Sequence, residues 1–190
     1  MGKILLINFG TTLIKDVRER LEEIEVDFEE VNFDYDFSNV NDDIKGIILS
    51  GSPKTVYEGG PRCQSAFMKC KLPKLGICYG HQLLNDEFGG TVQRAVVSEN
   101  DVQAKLFIDV DNKIFEGMNK EQNVSMFHFD EVTKLGEGFV SLAHTKDCKI
   151  AAAYNAEYNA YSLQFHPESK KYADYTNEYF INFAKICGLK

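Results

Sequence analysis

Apolar residues run along this chain in two rhythms. The opening run KILLINF (3–9) is continuously apolar, as in a strand buried on both faces. Leu13, Ile14, Val17, Leu21 and Ile24 then recur at helical spacing with Lys, Arg and Glu between them. Phe28 to Phe33 alternates like a second strand, and GIIL (46–49) is a third buried run that stops at the turn cluster SGSP. The pattern predicts a helix over 62–71, a fourth strand over 72–77, and a helix from just after Cys78 through Leu83–Phe88, ended by Gly89-Gly90. Beyond residue 90 the rhythm shortens. TVQRAVV, AKLFIDV, NVSMFHF, GFVSLAH, KIAAAYN and AYSLQFH read as short strands separated by turn residues, before a closing helix over 172–187. Strand-helix alternation in the first half predicts an α/β fold: an open, mostly parallel central sheet flanked by helices, with additional antiparallel strands. No linker, repeat or low-complexity segment interrupts it, so 1–190 is expected to be one domain.

Composition narrows the function classes. With 190 residues, 44% hydrophobic and 26% charged, the chain suits a globular domain that needs no staples. Its net charge is -8, with acids gathered at 19–30 and 34–43, which is opposite to what a phosphate-binding face requires. No apolar run is long enough to span a membrane. The N-terminus has no small-residue cleavage site, and Gly2 is not followed by the Ser or Thr of a myristoylation signal, so a cytoplasmic protein is expected. Five cysteines (63, 70, 78, 148, 187) form no CxxC pair, which fits neither a disulfide framework nor a zinc site. No bound metal is expected, because no donor cluster has ligand spacing in the sequence.

Chemistry concentrates in LGICYGHQ (75–82). Gly76-x-Cys78-x-Gly80 has the shape of a nucleophile elbow. A nucleophile on a sharp strand-to-helix turn occupies a strained backbone conformation, and a β-carbon two residues either side is expected to collide with it. Such a turn lifts the sulfur above the C-terminal edge of the sheet, and the helix N-terminus behind it favours negative charge. A packing cysteine in a glycine-rich turn fits this short pattern equally well.

A nucleophile needs a base held by a third group. His144, in LAHTKD, reads as a surface residue, and His81 lies on the first turn of the helix with no carboxylate in fixed relation to it. His166 ends an apolar strand in SLQFHPESK, and Glu168 follows two residues on, with Pro167 stiffening the segment. One imidazole nitrogen can then meet the carboxylate while the other faces a sulfur. Alone, His-Pro-Glu is also a common surface turn.

LGICYGHQLL followed by FGG, with QFHPE near the C-terminus, resembles the class I (triad) glutamine amidotransferases. GIILSGSP, SMFHFDEV and FINFAKICG extend the resemblance over nearly the whole chain. The resemblance implies that Cys78 attacks the side-chain amide of glutamine, forming a γ-glutamyl thioester and releasing ammonia. His166 would act as base and acid and Glu168 would orient it. The backbone of Tyr79, with Gly51 and Ser52 of the SGSP turn, would form the oxyanion hole, and Gly80 and Gln82 would help hold substrate. SGSPKTVY, HFDEV and NFAKICG are similar to stretches of GMP synthases. That similarity implies a separate ATP-pyrophosphatase chain that carries ATP, magnesium and xanthosine monophosphate, with His128 and Asp130 at the partner or nucleotide interface. No cofactor is expected in this chain, which has no GxxxxGK[ST] loop.

Four features depart from that pattern. Ser52 replaces a glycine, which would cost energy if the position needs positive φ. The first-strand loop reads Asn8-Phe9-Gly10-Thr11-Thr12-Leu13, Phe127 and Phe129 replace small residues, and Ser169-Lys170-Lys171-Tyr172 stands where His-Thr is usual. None of the four replaces Cys78, His166 or Glu168. A stand-alone hydrolase of γ-glutamyl amides or peptides, an amidotransferase for another acceptor, and a binding module with a vestigial triad are the competing readings.

Overall fold

The computed structural model describes residues 2–190. Among the described residues nine strands form one sheet in the order β2-β1-β3-β4-β9-β8-β7-β5-β6. Its parallel body comprises β1 (Lys3–Asn8), β2 (Phe28–Asn32), β3 (Ile44–Leu49), β4 (Lys74–Ile77) and β9 (Ala160–Leu163), with helices α1 (Ile14–Glu23), α2 (Ser65–Lys69), α3 (Tyr79–Glu87) and α4 (Asn177–Ile186). The remaining strands are β5 (Thr91–Ile108), β6 (Glu121–Lys134), β7 (Phe139–His144) and β8 (Ala152–Asn155), which pair antiparallel.

The unbroken apolar run of β1 follows from burial on both faces. Ile4 and Leu6 face one apolar layer, with Val17 and Leu21 of α1 and Phe180 and Phe183 of α4. Leu5 and Ile7 face the other, with Phe67 of α2 and Leu83 of α3. Each such fully buried side chain contributes about 1.5–3 kcal/mol. Even the lysine of β4 is enclosed: Lys74 Nζ donates to the carbonyls of Cys70, Leu72 and Tyr158, each at 2.7 Å. Burial pushes its pKa down to about 8.

Three expectations change in detail. The helix foreseen over 62–71 shrinks to α2, because Gln64 is still extended (φ -60, ψ 139) where the helix starts. The closing helix starts at Asn177, because the segment before it is tied to β6 instead. There the Tyr172 N–H donates to Ser125 Oγ at 3.2 Å and the Asp174 N–H to the Asn123 carbonyl at 3.0 Å. The two short strands expected between 91 and 110 are one 18-residue strand, β5. Its turn-like residues are absorbed as irregularities in the pairing with β6, between Arg94 and Glu99 and between Asn100 and Val102.

Candidate active site

Cys78 occupies the bend between β4 and α3 with φ 51 and ψ -99. An L-residue adopts that conformation at a cost of about 1–3 kcal/mol and only where its surroundings enforce it. The enforcement is visible: the Cys78 N–H donates to the Leu163 carbonyl of β9 at 2.7 Å, and its own carbonyl accepts from the Gln82 N–H of α3 at 3.1 Å. The framing glycines serve a different contact from the one expected. A β-carbon on Gly80 would lie 2.3 Å from the Leu49 carbonyl oxygen, and one on Gly76 would lie 2.6 Å from the Gly80 backbone. The glycines therefore let α3 dock on β3 and β4, and relief of crowding at the cysteine is secondary.

His166 follows β9 and is buried, 3% exposed. Its N–H donates to the Ser125 carbonyl of β6 at 2.9 Å, and its Nδ1 meets Glu168 Oε1 at 2.8 Å. A carboxylate oxygen can only accept, so Nδ1 carries the proton. Burial works against a charged imidazole here, yet Glu168 and Cys78 outweigh it and hold the His166 pKa well above the usual value. Nε2 makes no hydrogen bond among the described residues. The Cys78 thiol faces the Phe127 carbonyl at 3.8 Å, and the Phe127 ring stands edge-on to His166 with centroids 5.3 Å apart. Catalytic hydrogen bonds often tighten only once substrate is bound.

Cys78 and His166 open onto one cavity of about 340 Å³, whose lining also includes Thr11, Ser52, Gln82 and Phe129. Gly51 lies against the His166 ring, with its would-be β-carbon 3.3 Å from Cε1. Ser52 is not among the described residues with positive φ, so its replacement of glycine carries no backbone strain. Gln82 sits at the cavity wall, its Nε2 donating to the Asp130 carbonyl at 2.8 Å and to Gln164 Oε1 at 3.2 Å.

The other histidines separate cleanly. His81 is fully enclosed beside Ser162 Oγ (2.8 Å from Nδ1), and burial, reinforced by His128, pushes its pKa down to about 3, so it is a neutral packing residue. His144 is at the surface beside Asp109. His128, expected at an interface, is 3% exposed, with Nδ1 on the Asp130 carbonyl at 3.0 Å and Nε2 3.2 Å from Glu99 Oε2. Asp130 is buried too, 5% exposed, but its carboxylate meets two exposed residues: it accepts from Tyr57 Oη at 2.9 Å and pairs with Arg94 at 3.7 Å.

Sequence reasoning overlooked Gln164, which is fully buried and whose Nε2 donates to Cys78 Sγ at 3.6 Å. Its signal was present: it lies two residues before His166, hence on the same face of an extended segment. It also overlooked the grouping of Glu99, His128 and Cys148, whose donor atoms lie within 4.8 Å of one another. Spacing along the chain could not show that, because the three come from β5, β6 and the β7–β8 connection.

An open α/β sheet with a cysteine elbow beside a buried His-Glu pair defines the triad glutaminase class of architecture. The structure matches that of a candidate GMP synthase subunit from Thermoplasma acidophilum with a TM-score of 0.89 and 29% identity, covering 99% of this chain and 94% of that one. It also matches the fold of a glutamine amidotransferase from Thermotoga maritima, with TM-score 0.72 and 18% identity over 97% of this chain and 81% of that one. In sequence, it is 41% identical to a glutamine-hydrolyzing GMP synthase subunit of Methanocaldococcus jannaschii, over 79% of this chain and 78% of that protein. It is 40% identical to the glutamine-hydrolyzing GMP synthase of Nitratiruptor sp., over 98% of this chain but 37% of that protein. The chain thus spans little more than a third of that relative. The profile described as Glutamine amidotransferase class-I matches residues 5–186, and the chain belongs to that family.

Proposed function

We propose that this chain is the glutaminase subunit of a GMP synthase-type ligase, folding over 1–190 as one domain and working in the cytoplasm. The observation that carries the reading is the juxtaposition of Cys78 with the His166–Glu168 pair at the floor of one cavity. In this mechanism His166 Nε2 takes the Cys78 thiol proton as Sγ attacks the side-chain carbonyl carbon of glutamine. The C–N bond breaks, and His166 delivers a proton to the departing nitrogen, which leaves as ammonia. Water then attacks the γ-glutamyl thioester, His166 takes its proton, and glutamate is released with the thiol restored. Glu168 keeps Nδ1 protonated and so directs Nε2 at the reacting atoms. The backbone N–H of Tyr79, with one from Gly51 or Ser52, receives the developing oxyanion, each donor contributing about 3 kcal/mol. Gly80 and Gln82 complete the substrate pocket.

Support for the acceptor comes from GMP synthase relatives, one of them a separate subunit. The Nitratiruptor relative is more than twice as long as the region it shares with this chain. A separate synthetase chain would then supply ATP, magnesium and xanthosine monophosphate. Exposed apolar side chains on the two strands that help line the cavity suit such docking: Val96 is 94% exposed, and Val97 and Val102 on β5 and Phe129 on β6 are exposed as well. Arg94 caps Phe129, 4.6 Å from the ring centroid. Asp130 contributes through Tyr57 and Arg94, and His128 through the strand it anchors.

The test is ammonia release from glutamine by the purified chain, alone and with a candidate synthetase loaded with ATP and xanthosine monophosphate. The expected result is slow turnover alone and at least tenfold stimulation with the loaded partner. Cys78→Ala should lose glutamine-dependent GMP formation by about 10⁴-fold or more while ammonia-dependent formation persists. Equal turnover with and without the partner would mark a stand-alone γ-glutamyl hydrolase instead.

A further inference from the structure

Behind the cavity wall, three donors of different kinds converge. Glu99, His128 and Cys148 are 6%, 3% and 0% exposed, and their donor atoms all lie within 4.8 Å of one another. Their convergence is built by the backbone. Glu99 pairs directly with His128 across β5 and β6, and pairing irregularities on both sides of Glu99 turn it inward. Cys148 is held by its N–H donating to Thr145 Oγ1 at 2.9 Å and by the Thr145 N–H donating to its carbonyl at 2.8 Å.

The hydrogen bonds fix the roles. The Asp130 carbonyl can only accept, so His128 Nδ1 carries a proton, and Nε2 in the neutral ring presents a lone pair. Nε2 faces Glu99 Oε2 at 3.2 Å, a contact that requires a proton or a cation between the two atoms. Two donors about 2.0–2.1 Å from a tetrahedral ion stand about 3.3 Å apart, so this edge already has the right length. Bringing the Cys148 sulfur to about 2.3 Å from the same ion needs an approach of about an ångström. One orienting partner of such a site is also in place, a backbone carbonyl on the far imidazole nitrogen.

We propose that Glu99 Oε2, His128 Nε2 and Cys148 Sγ form a binding site for a divalent cation of the zinc class. A thiolate, an imidazole and one carboxylate select zinc or cobalt over magnesium or calcium, which take oxygen shells. His128 also lines the Cys78 cavity, the side from which the ion would enter and a water could supply a fourth ligand. Binding displaces the Cys148 thiol proton to solvent, so uptake releases acid. The bound ion pins β6 at His128, next to the Asp130 carbonyl on which Gln82 rests. This site stands or falls independently of the acceptor assigned above.

Cobalt(II) titration of the metal-stripped full chain tests it, read by thiolate-to-cobalt charge-transfer absorption. The expected result is one equivalent bound with a tetrahedral spectrum, retained in Cys78→Ser and lost in Cys148→Ser. Glu99→Gln should weaken binding by tenfold or more. Because substitutions at buried positions can unfold the chain, thermal unfolding of wild type and Cys78→Ser is measured with and without zinc. Both should melt higher with zinc. Absence of a charge-transfer band in the wild type, a band that disappears in Cys78→Ser, or no rise in melting temperature in Cys78→Ser would overturn the proposal.

Discussion

The parallel body and the antiparallel arm of this sheet solve different problems. In the body, β1, β3 and β4 are buried on both faces, and the bend after β4 is clamped from β9 by the 2.7 Å bond to the Cys78 N–H. In the arm, β5 and β6 run 18 and 14 residues and leave Val96, Val97, Val102 and Phe129 exposed. The body holds a strained cysteine in place. The arm presents a face. The two meet at one strand: Ser125 holds His166, Phe127 covers Cys78, and Asp130 receives Gln82, all from β6. Motion of β6 therefore reaches Cys78, His166 and Gln82 together.

The comparison breaks most severely at the carboxylate. Glu168→Gln should lower glutamine hydrolysis by about 10³-fold, because the amide no longer enforces the Nδ1–H tautomer. The same variant carries a pH signature, read by denaturant unfolding across pH. The folded His166 pKa is raised, so the stability its proton contributes is fully present below the unfolded value of about 6.5 and is lost as pH rises through the folded value. Wild-type stability should show that decline, and Glu168→Gln should lose it.

The clamp itself comes next. Gly80→Ala drives a β-carbon into the Leu49 carbonyl at 2.3 Å and should destabilise the fold by about 3 kcal/mol. Val96→Ser on the arm should change stability by less than about 0.5 kcal/mol while weakening association with a synthetase chain. Equal costs at the two sites in chemical denaturation would erase the distinction between body and arm.

The smallest expected effect lies at the junction. Gln164→Leu removes the donor 3.6 Å from Cys78 Sγ and leaves Gln82 with one fewer partner. Glutamine hydrolysis should fall about tenfold, mostly in kcat, with the fold intact by circular dichroism.

The body was legible in sequence because both its signals are local. Continuous apolar runs announce doubly buried strands, and GxCxG with HPE places two reactive groups at strand ends. The arm was less so. Ser98-Glu99-Asn100-Asp101 reads as a turn, yet long-range pairing with β6 carries the strand through it, with Asp101 taking φ 57 to absorb the irregularity. Long-range pairing also explains why His128 faces inward on Glu99 and why Cys148 joins them. In the body the surprise was the glycines' purpose, since the helix-to-strand contact they permit depends on Leu49, about thirty residues upstream.

The central claim is that one thiol of five is made a nucleophile by His166. Burial pushes the thiols of Cys63 and Cys187 up to about 12 and that of Cys148 higher still, so those three are poor competitors. The most direct measurement uses a glutamine analogue carrying an electrophilic ketone in place of the amide, with the labelled residue located by mass spectrometry. A single adduct is expected at Cys78, blocked by excess glutamine and formed at least a hundredfold more slowly in His166→Ala. Labelling at Cys70, or labelling of Cys78 at an unchanged rate in His166→Ala, would contradict it.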